Sequence, residues 1–322
     1  MNFAHNDTLP YPFVDEIFPD EDGVGYALRM ADANALSFHQ LATHLASPGH
    51  CYLPYTSAPA LAFMFGGTPE LIARALVRRH FDDGITVADF AEHRFLRPKH
   101  LRQLRPQLCP FCLLEHGHAR ASWSITLMCC CTEHEVCLID QCACGRSISW
   151  RRRSLLVCEC GRMFLGSTNS THPATKGALA ICRQIEYLLG KAHFRLQSQL
   201  DSDLAVFDDM SVDTFLRLVW ALGPSRCERG GCTQHILHAI PTPFEAMLTA
   251  DQAHNRIRDL LSGRDVASLQ LWLPQLISIE EEAVTLPDRR LMSSILARIR
   301  PRLPVARRIN RNGPIQSSLF EG

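Results

Sequence analysis

The centre of the chain carries four short cysteine motifs: CPFC at residues 109–112, CTEH at 131–134, CACG at 142–145 and CECG at 158–161. Ten of the 14 cysteines of the chain fall within residues 109–160. Each motif places two metal-binding side chains one or two residues apart, so that both can reach one edge of a tetrahedron. Two motifs together complete a set of four ligands. The stretch therefore predicts two structural zinc ions.

The spacing of the motifs pairs the first with the second and the third with the fourth. The ligands predicted for the first ion are Cys109, Cys112, Cys131 and His134. The ligands predicted for the second ion are Cys142, Cys144, Cys158 and Cys160. Four protein ligands leave no open position for water, so both sites are expected to be structural rather than catalytic. Metal binding then contributes folding energy to a segment with a small core of its own.

A disulfide framework is the alternative explanation of so many cysteines. It requires an oxidising compartment. Residues 1–13 contain neither a basic start nor an apolar segment, so no signal peptide is expected. Cys129, Cys130 and Cys137 fit neither zinc set and are predicted to be small buried hydrophobic residues. A third site around Cys227 and Cys232 is conceivable, but a loop with free thiols is the simpler interpretation.

The length and charge of the chain set wider bounds. Its 322 residues suggest two or three domains, and no apolar run reaches about 18 residues, so no membrane span is expected. The net charge is zero, but residues 7–22 hold six acids and no base, whereas residues 289–311 hold eight arginines and no acid. Arginine supplies nearly all the positive charge and suits phosphate or carboxylate partners, although genome composition can produce the same bias.

The predicted fold class is mainly α with small zinc-ribbon β elements. Residues 26–45 predict two short helices around an Asn34-Ala35 turn, a helix–turn–helix that either reads DNA or is an ordinary core hairpin. Further N-terminal helices are expected at 68–80 and 86–95, and short strands at 122–128 and 147–150. C-terminal helices are expected at 176–192, 211–222, 242–262, 265–273 and 288–300. The predicted divisions are a helical N-terminal domain with the helix–turn–helix (1–106), a tandem zinc module (107–165), a helical C-terminal domain (174–300) and a basic tail (301–322).

Two groups of basic residues are candidates for contact with nucleic acid or an acidic protein surface. One is the loop of Arg151, Arg152 and Arg153 beside Trp150, and the other is Arg97, Lys99 and Arg102. A solvated surface explains each group equally well. The chain has no phosphate-binding glycine motif. His116, His118 and His172 are not joined by a carboxylate cluster, so no catalytic residue is predicted.

The cysteine segment resembles the TniQ (TnsD-like) family of transposon target-selection proteins. The residues that carry the resemblance are LCPFCL at 108–113, Trp123, CTEH at 131–134, Leu138, the two Cys-x-Cys-Gly turns, and PYP at 10–12, YALRMA at 26–31 and NALS at 34–37. Together they cover about residues 8–165. Members of the family commonly have CPxCG at the third motif. The shorter CACG here leaves Cys137 as an alternative ligand to Cys142.

The resemblance implies a bacterial cytoplasmic adaptor for DNA integration with no reaction of its own. Such adaptors link a target site, which is DNA or a CRISPR effector complex with its guide RNA, to an AAA+ ATPase of the TnsC/TniB type and so to the transposase. Some act as homodimers. Two other functions remain open: a stand-alone zinc-ribbon and helix–turn–helix transcriptional regulator, and a nuclease or metal hydrolase.

Overall fold

A computed structural model describes residues 10–45, 53–165, 172–190, 202–223, 240–264 and 268–299. The described helices and strands are α1 (Gly23–Ala33), α2 (Phe38–Leu45), α3 (Ala58–Phe65), α4 (Pro69–Ala75), β1 (Arg78–Asp82), β2 (Ile85–Phe90), β3 (His93–Phe95), α5 (Pro110–His116), α6 (Lys176–Leu189), α7 (Val212–Leu222), α8 (Pro243–Ser262), α9 (Leu273–Glu281) and α10 (Leu286–Ile299). The protein is therefore mainly helical with one small sheet, which confirms the predicted class at that level.

The first two helices begin at side-chain caps. The carboxylate of Asp22 accepts from the backbone N–H of Val24 and Gly25 at the start of α1, at 2.9 and 3.0 Å. At the start of α2, Ser37 and Gln40 form the reciprocal bonds of a capping box. The chain turns between the helices at Ala35, where φ is 56°. Two consecutive short helices are therefore present where the sequence predicts them.

The sequence interpretation of residues 76–80 and 86–95 as helical is wrong. Helix α4 ends at Ala75, and the chain then forms the antiparallel sheet β1-β2-β3. Asp82 pairs with Ile85, which leaves the two-residue turn Asp83-Gly84 with positive φ at both positions, 46° and 78°. Asp-Gly between extended residues is a strong hairpin signal, because this turn matches the twist of the paired strands. That local signal outweighs the helical periodicity of the arginines around it.

The cysteine segment is built from turns rather than from zinc-ribbon strands. The strands predicted at 122–128 and 147–150 are absent: a 3-10 turn covers Ala121–Ser124, and only isolated bridges follow, such as Gln141 with Ser147. Helix α5 begins at the first motif, with Cys109 as its N-cap and Pro110 in its first turn. Each cysteine motif needs a tight turn to aim two side chains at one point, which interrupts any longer strand pairing.

The C-terminal helices follow the prediction except in one place. Helix α8 starts with a capping box between Thr242 and Glu245 and ends at Gly263 in the left-handed conformation. Instead of the helix predicted at 265–273, a 3-10 turn at Ser268–Trp272 leads into α9, which has Pro274 in its first turn. None of the described helices is both long and apolar enough to cross a lipid bilayer.

One apolar core runs through the described residues from Ile17 to Ile299. Polar contacts also join regions that the sequence assigns to different domains. Asp213 of α7 accepts from the backbone N–H of Leu96 at 3.2 Å, and the Arg102 guanidinium donates to the Pro241 carbonyl at 2.7 Å. The domain boundaries that the sequence suggests therefore remain a prediction.

Candidate metal centres

The first predicted ligand set comes together in the structure. The donor atoms of Cys109, Cys112, Cys131 and His134 all lie within 4.8 Å of one another. The Cys112 and Cys131 sulfurs are 3.4 Å apart, and His134 Nδ1 lies 3.2 Å from the Cys112 sulfur. A tetrahedral ion with metal–sulfur bonds of about 2.3 Å separates its sulfur ligands by about 3.8 Å. Soft thiolate and imidazole donors at this spacing fit such an ion.

His134 is oriented by two residues that the sequence interpretation missed. Its Nε2 lies 3.0 Å from the Glu115 carboxylate, and its ring stacks on Phe111 at 5.3 Å. A proton on Nε2 that bonds to Glu115 leaves the Nδ1 lone pair directed at the three sulfurs. Carboxylates fix the tautomer of metal-binding histidines in this way. The acidic residue three positions after Cys112 was visible in the sequence, but no pattern connected it with His134.

The second predicted ligand set is formed by two motifs with the same backbone geometry. Cys142 and Cys160 are 3.9 Å apart between sulfurs, as are Cys144 and Cys158. In each motif the N–H of the glycine donates to the carbonyl of the first cysteine, at 2.8 and 2.9 Å. Gly145 and Gly161 have φ of 84° and 83°, where a side chain would be strained. The two turns present four thiols to one point.

In the second set, a backbone hydrogen bond favours the metal-binding thiolate form of one cysteine. The backbone N–H of Arg162 lowers the pKa of the Cys160 thiol to about 7, while burial raises the pKa of Cys158 to about 12. Backbone donors to ligand sulfurs favour the thiolate form, which is the form that binds metal. Both donor sets therefore fit a thiophilic metal ion.

Cys137 does not join the second set. Its backbone forms a bridge with Cys130 instead, so the geometry favours Cys142 as the fourth donor despite the shortened motif. Cys129, Cys130 and Cys137 are all buried, as the sequence predicts. The eleven described cysteines form no disulfide with one another. Cys227 and Cys232 lie outside the described residues.

Two of the arginines predicted to contact a partner have internal roles. Arg152 is 1% exposed, and its guanidinium donates to the carbonyls of Ser149 and Ser154 at 2.6 and 3.1 Å. Arg102 is also 1% exposed and forms an ion pair with Asp140 at 2.6 Å. Neither guanidinium is presented to solvent. The buried positions of Arg152 and Arg102 therefore contradict the prediction that they contact a partner. A run of arginines in the sequence does not show which of them points inward.

The other predicted contact residues differ in their surroundings. Arg97 forms an ion pair with Glu282 at 2.7 Å, whereas Lys99 is exposed. Arg151 and Arg153 are exposed on either side of the buried Arg152.

The structure adds two arginines that the sequence interpretation missed. Arg146 and Arg162 each follow the glycine of a Cys-x-Cys-Gly turn, and both are exposed. The signal was the repeated five-residue pattern Cys-x-Cys-Gly-Arg, at 142–146 and 158–162. Residues 142–162, which contain the second donor set, have four exposed arginines, Arg146, Arg151, Arg153 and Arg162, which we call the arginine rim.

The three histidines near the cysteine segment have separate partners. His116 bonds to Glu133 at 3.0 Å, and His118 bonds to Asp20 at 3.0 Å. His172 packs its ring against Phe244 at 5.6 Å. Cys112, His116 and Glu133 also lie close together, but Cys112 already belongs to the first donor set. The three histidines therefore have contacts in different places around the donor sets and do not converge on one reaction centre.

The contact between His118 and Asp20 leads to a pH-dependent prediction. Burial disfavours the charged imidazole, but the hydrogen bond and charge of Asp20 outweigh it and raise the pKa of His118 above its usual 6.5. The stabilisation is therefore complete below about pH 6.5 and is lost as the pH rises through the higher folded-state value. We expect Asp20→Asn to lower the melting temperature more at pH 6 than at pH 8, with a cost of about 0.5–1 kcal/mol at the lower pH.

The control for this prediction is Asp83→Asn in the exposed turn between β1 and β2. It should change the melting temperature little and equally at both pH values, because asparagine also tolerates positive φ. Equal losses for Asp20→Asn at pH 6 and pH 8, in thermal melts followed by circular dichroism, would show that the pair does not depend on a charged His118.

One region of the chain matches a known protein family. Residues 12–138 match the profile of the TniQ family. The matched residues include the helices and strands from α1 to α5 and the whole first donor set. No curated protein matches the chain.

Proposed function

Since residues 12–138 match the TniQ family, a transposition-associated family, we propose that this chain is a member of that family and a target-selection adaptor. The adaptor links a target site to an AAA+ ATPase of the transposon, and so to the transposase, in the bacterial cytoplasm. The target site is DNA or a CRISPR effector complex with its guide RNA, and a homodimer is compatible with this role. The family match over residues 12–138 is the observation that carries the proposal.

The donor sets support a binding function rather than an enzymatic one. We propose that Cys109, Cys112, Cys131 and His134 hold one zinc ion and that Cys142, Cys144, Cys158 and Cys160 hold a second. With four protein ligands each, such ions organise the backbone and have no position for a substrate. In this proposal the chain performs no reaction of its own, and its work is to hold binding surfaces in fixed positions.

The proposed target contact combines α2 with the arginine rim. The exposed side of α2 presents His39, Gln40 and Thr43, and residues 30–45 contain no lysine or arginine. A helix that entered a groove of DNA would need cations from elsewhere to contact the phosphates. Burial raises the pKa of the Asp32 carboxyl of α1, and the nearby charge of Arg153 partly opposes that rise. In this proposal Arg153, which is near α1, and the other arginines of the rim supply those cations.

The proposed contact is tested by neutralising two arginines of the rim. We expect Arg151→Gln/Arg153→Gln to weaken binding to duplex DNA or to the guide-RNA complex while the metal content stays unchanged. Each lost phosphate contact reduces the magnitude of the negative slope of log affinity against log salt by about 0.9, so the magnitude of the DNA slope should fall by about 2. Fluorescence anisotropy over a range of salt concentrations measures this slope.

The matched control is Arg258→Gln/Arg290→Gln, which removes two exposed arginines from the C-terminal helices. It should leave the slope within about 0.5 of the wild-type value, because neither arginine belongs to the arginine rim. If rim and control variants bind every target alike, the rim is not the contact surface.

The adaptor role is tested separately through the ATPase. The full-length chain is expected to bind the AAA+ ATPase encoded beside it in the presence of nucleotide, as measured by co-purification. A stand-alone regulator, by contrast, would protect duplex DNA from cleavage without any partner and would ignore the ATPase. Failure to bind that ATPase at micromolar concentrations would reject the adaptor function even if the zinc sites and the DNA contact were confirmed.

A further inference from the structure

A third group of cysteines lies apart from both donor sets. The sulfurs of Cys129, Cys130 and Cys182 all lie within 4.8 Å of one another. Cys129 and Cys130 belong to the cysteine segment, whereas Cys182 lies in α6, more than 50 residues further along the chain. None of the three side chains is exposed. The fold therefore brings three thiols from two distant segments into one enclosed position.

The spacing of these sulfurs matches that of the two ligand sets already described. The Cys129 sulfur is 3.7 Å from that of Cys182 and 3.8 Å from that of Cys130. In the second donor set the corresponding distances are 3.9 Å. Sulfurs bound to one thiophilic ion at about 2.3 Å are separated by about 3.8 Å. Three thiols can therefore bind one ion here with little movement.

Further donors lie beside the group. The Leu127 carbonyl oxygen is 3.7 Å from the Cys182 sulfur. Cys137, which is 4% exposed, is held opposite Cys130 by a backbone bridge. A three-coordinate ion would use the three thiols alone, and a four-coordinate ion would take its fourth ligand from Leu127 or Cys137. All of the nearest side-chain donors are sulfur, which selects soft cations over magnesium or calcium.

We propose that Cys129, Cys130 and Cys182 form a third metal site, which binds a soft cation, zinc(II) or copper(I), through thiolates. Each of the three thiols releases one proton to solvent as the ion binds. The ion then ties α6, and with it the helices that pack on α6, to the cysteine segment. This inference does not depend on the proposed adaptor function, because it concerns only how two parts of the chain are held together.

Ordinary packing is the alternative. Free cysteine is among the most buried residue types, and sulfur atoms in contact without a metal reach similar distances. The two explanations differ in one measurable quantity, which is the number of ions that the folded chain retains. Packed thiols add no ion to the two that the first and second donor sets hold.

The test counts metal ions in the full-length chain by native mass spectrometry. The chain is purified with a reductant, loaded in one arm with zinc alone and in the other with zinc followed by copper(I), and then dialysed. We expect three ions per wild-type chain. We expect two ions in Cys182→Ala and in Cys129→Ala, with circular dichroism confirming that the helices are retained. The loading arm that supplies the third ion identifies the metal.

The control is Cys51→Ser/Cys227→Ser/Cys232→Ser, which removes the three cysteines that lie outside the described residues. It should retain three ions. Two ions in the wild type under both loading conditions would overturn the proposal, and so would an unchanged count in a folded Cys182→Ala variant. If Cys182→Ala and Cys129→Ala do not fold, the numbers of ions in the wild-type chain and in the control variant decide whether the third site exists.

Discussion

Cys158→Ser is expected to remove one zinc ion per chain and to unfold the second metal site. Cys158 is 5% exposed and supplies one of the four thiols that the two Cys-x-Cys-Gly turns direct at one point. Apparent zinc-binding free energies in small zinc-dependent folds are about 10–16 kcal/mol, and in such folds this energy is folding energy. The loss of one thiolate should therefore destabilise this segment more than any other substitution proposed for it.

The effect should differ between the two sites. The cysteines of the first set are all buried, whereas in the second set Cys144 is partly exposed and Cys160 is exposed. Cys109→Ser should therefore lower the melting temperature of the whole chain, whereas Cys158→Ser should mainly expose residues 142–161 to protease. Zinc content by mass spectrometry, thermal melts and limited proteolysis measure these effects. Wild-type zinc content and melting in either variant would show that the ligand assignment is wrong, and Cys51→Ser is the control for a cysteine outside both sets.

Arg152→Ala should destabilise the protein by about 2–4 kcal/mol, because it leaves two carbonyls without donors and opens a cavity. The guanidinium lies 5.0 Å from the centre of the Trp150 ring and 5.8 Å from that of Phe164. Burial lowers the pKa of Arg152 to about 9, so the side chain is still charged at neutral pH. The loss should appear as a lower melting temperature, by about 2–4 °C for each kcal/mol.

Two further substitutions distinguish the structural role of Arg152 from the effect of its charge. Arg152→Lys keeps the charge but loses the planar fork that donates to two carbonyls and stacks on Trp150, so it should not restore full stability. Arg151→Ala removes an adjacent exposed arginine and should change stability by less than about 0.5 kcal/mol. A reversed order, with Arg151→Ala more destabilising than Arg152→Ala, would contradict the internal role of Arg152.

The sequence predicted the donor sets well because their chemistry is local. Two ligands in a motif are one or two residues apart, so their convergence is fixed by the turn between them, and glycine marks that turn. The helix caps at Ser37 and Thr242 were predictable for the same reason, since a cap bonds to an amide three residues away. The sheet at β1–β3 was missed although its Asp83-Gly84 signal is equally local.

The burial of individual arginines could not be predicted from the sequence. Arg151, Arg152 and Arg153 are chemically identical neighbours, and only the surrounding fold buries the second between Trp150 and Phe164 while the other two stay exposed. The same holds for Arg102, whose partner Asp140 is 38 residues away. Orientation of this kind depends on distant residues that no short motif contains.

The sequence by itself determined which residues can bind metal, where most helices begin and which family residues 12–138 match, because spacing, capping and turn chemistry act within a few residues. Only the tertiary structure decided which arginines reach the surface, that Glu115 orients His134, and that Cys182 of α6 meets Cys129 and Cys130. The physical reason is that burial and contacts between distant segments arise from the packing of the whole apolar core, which joins residues from Ile17 to Ile299.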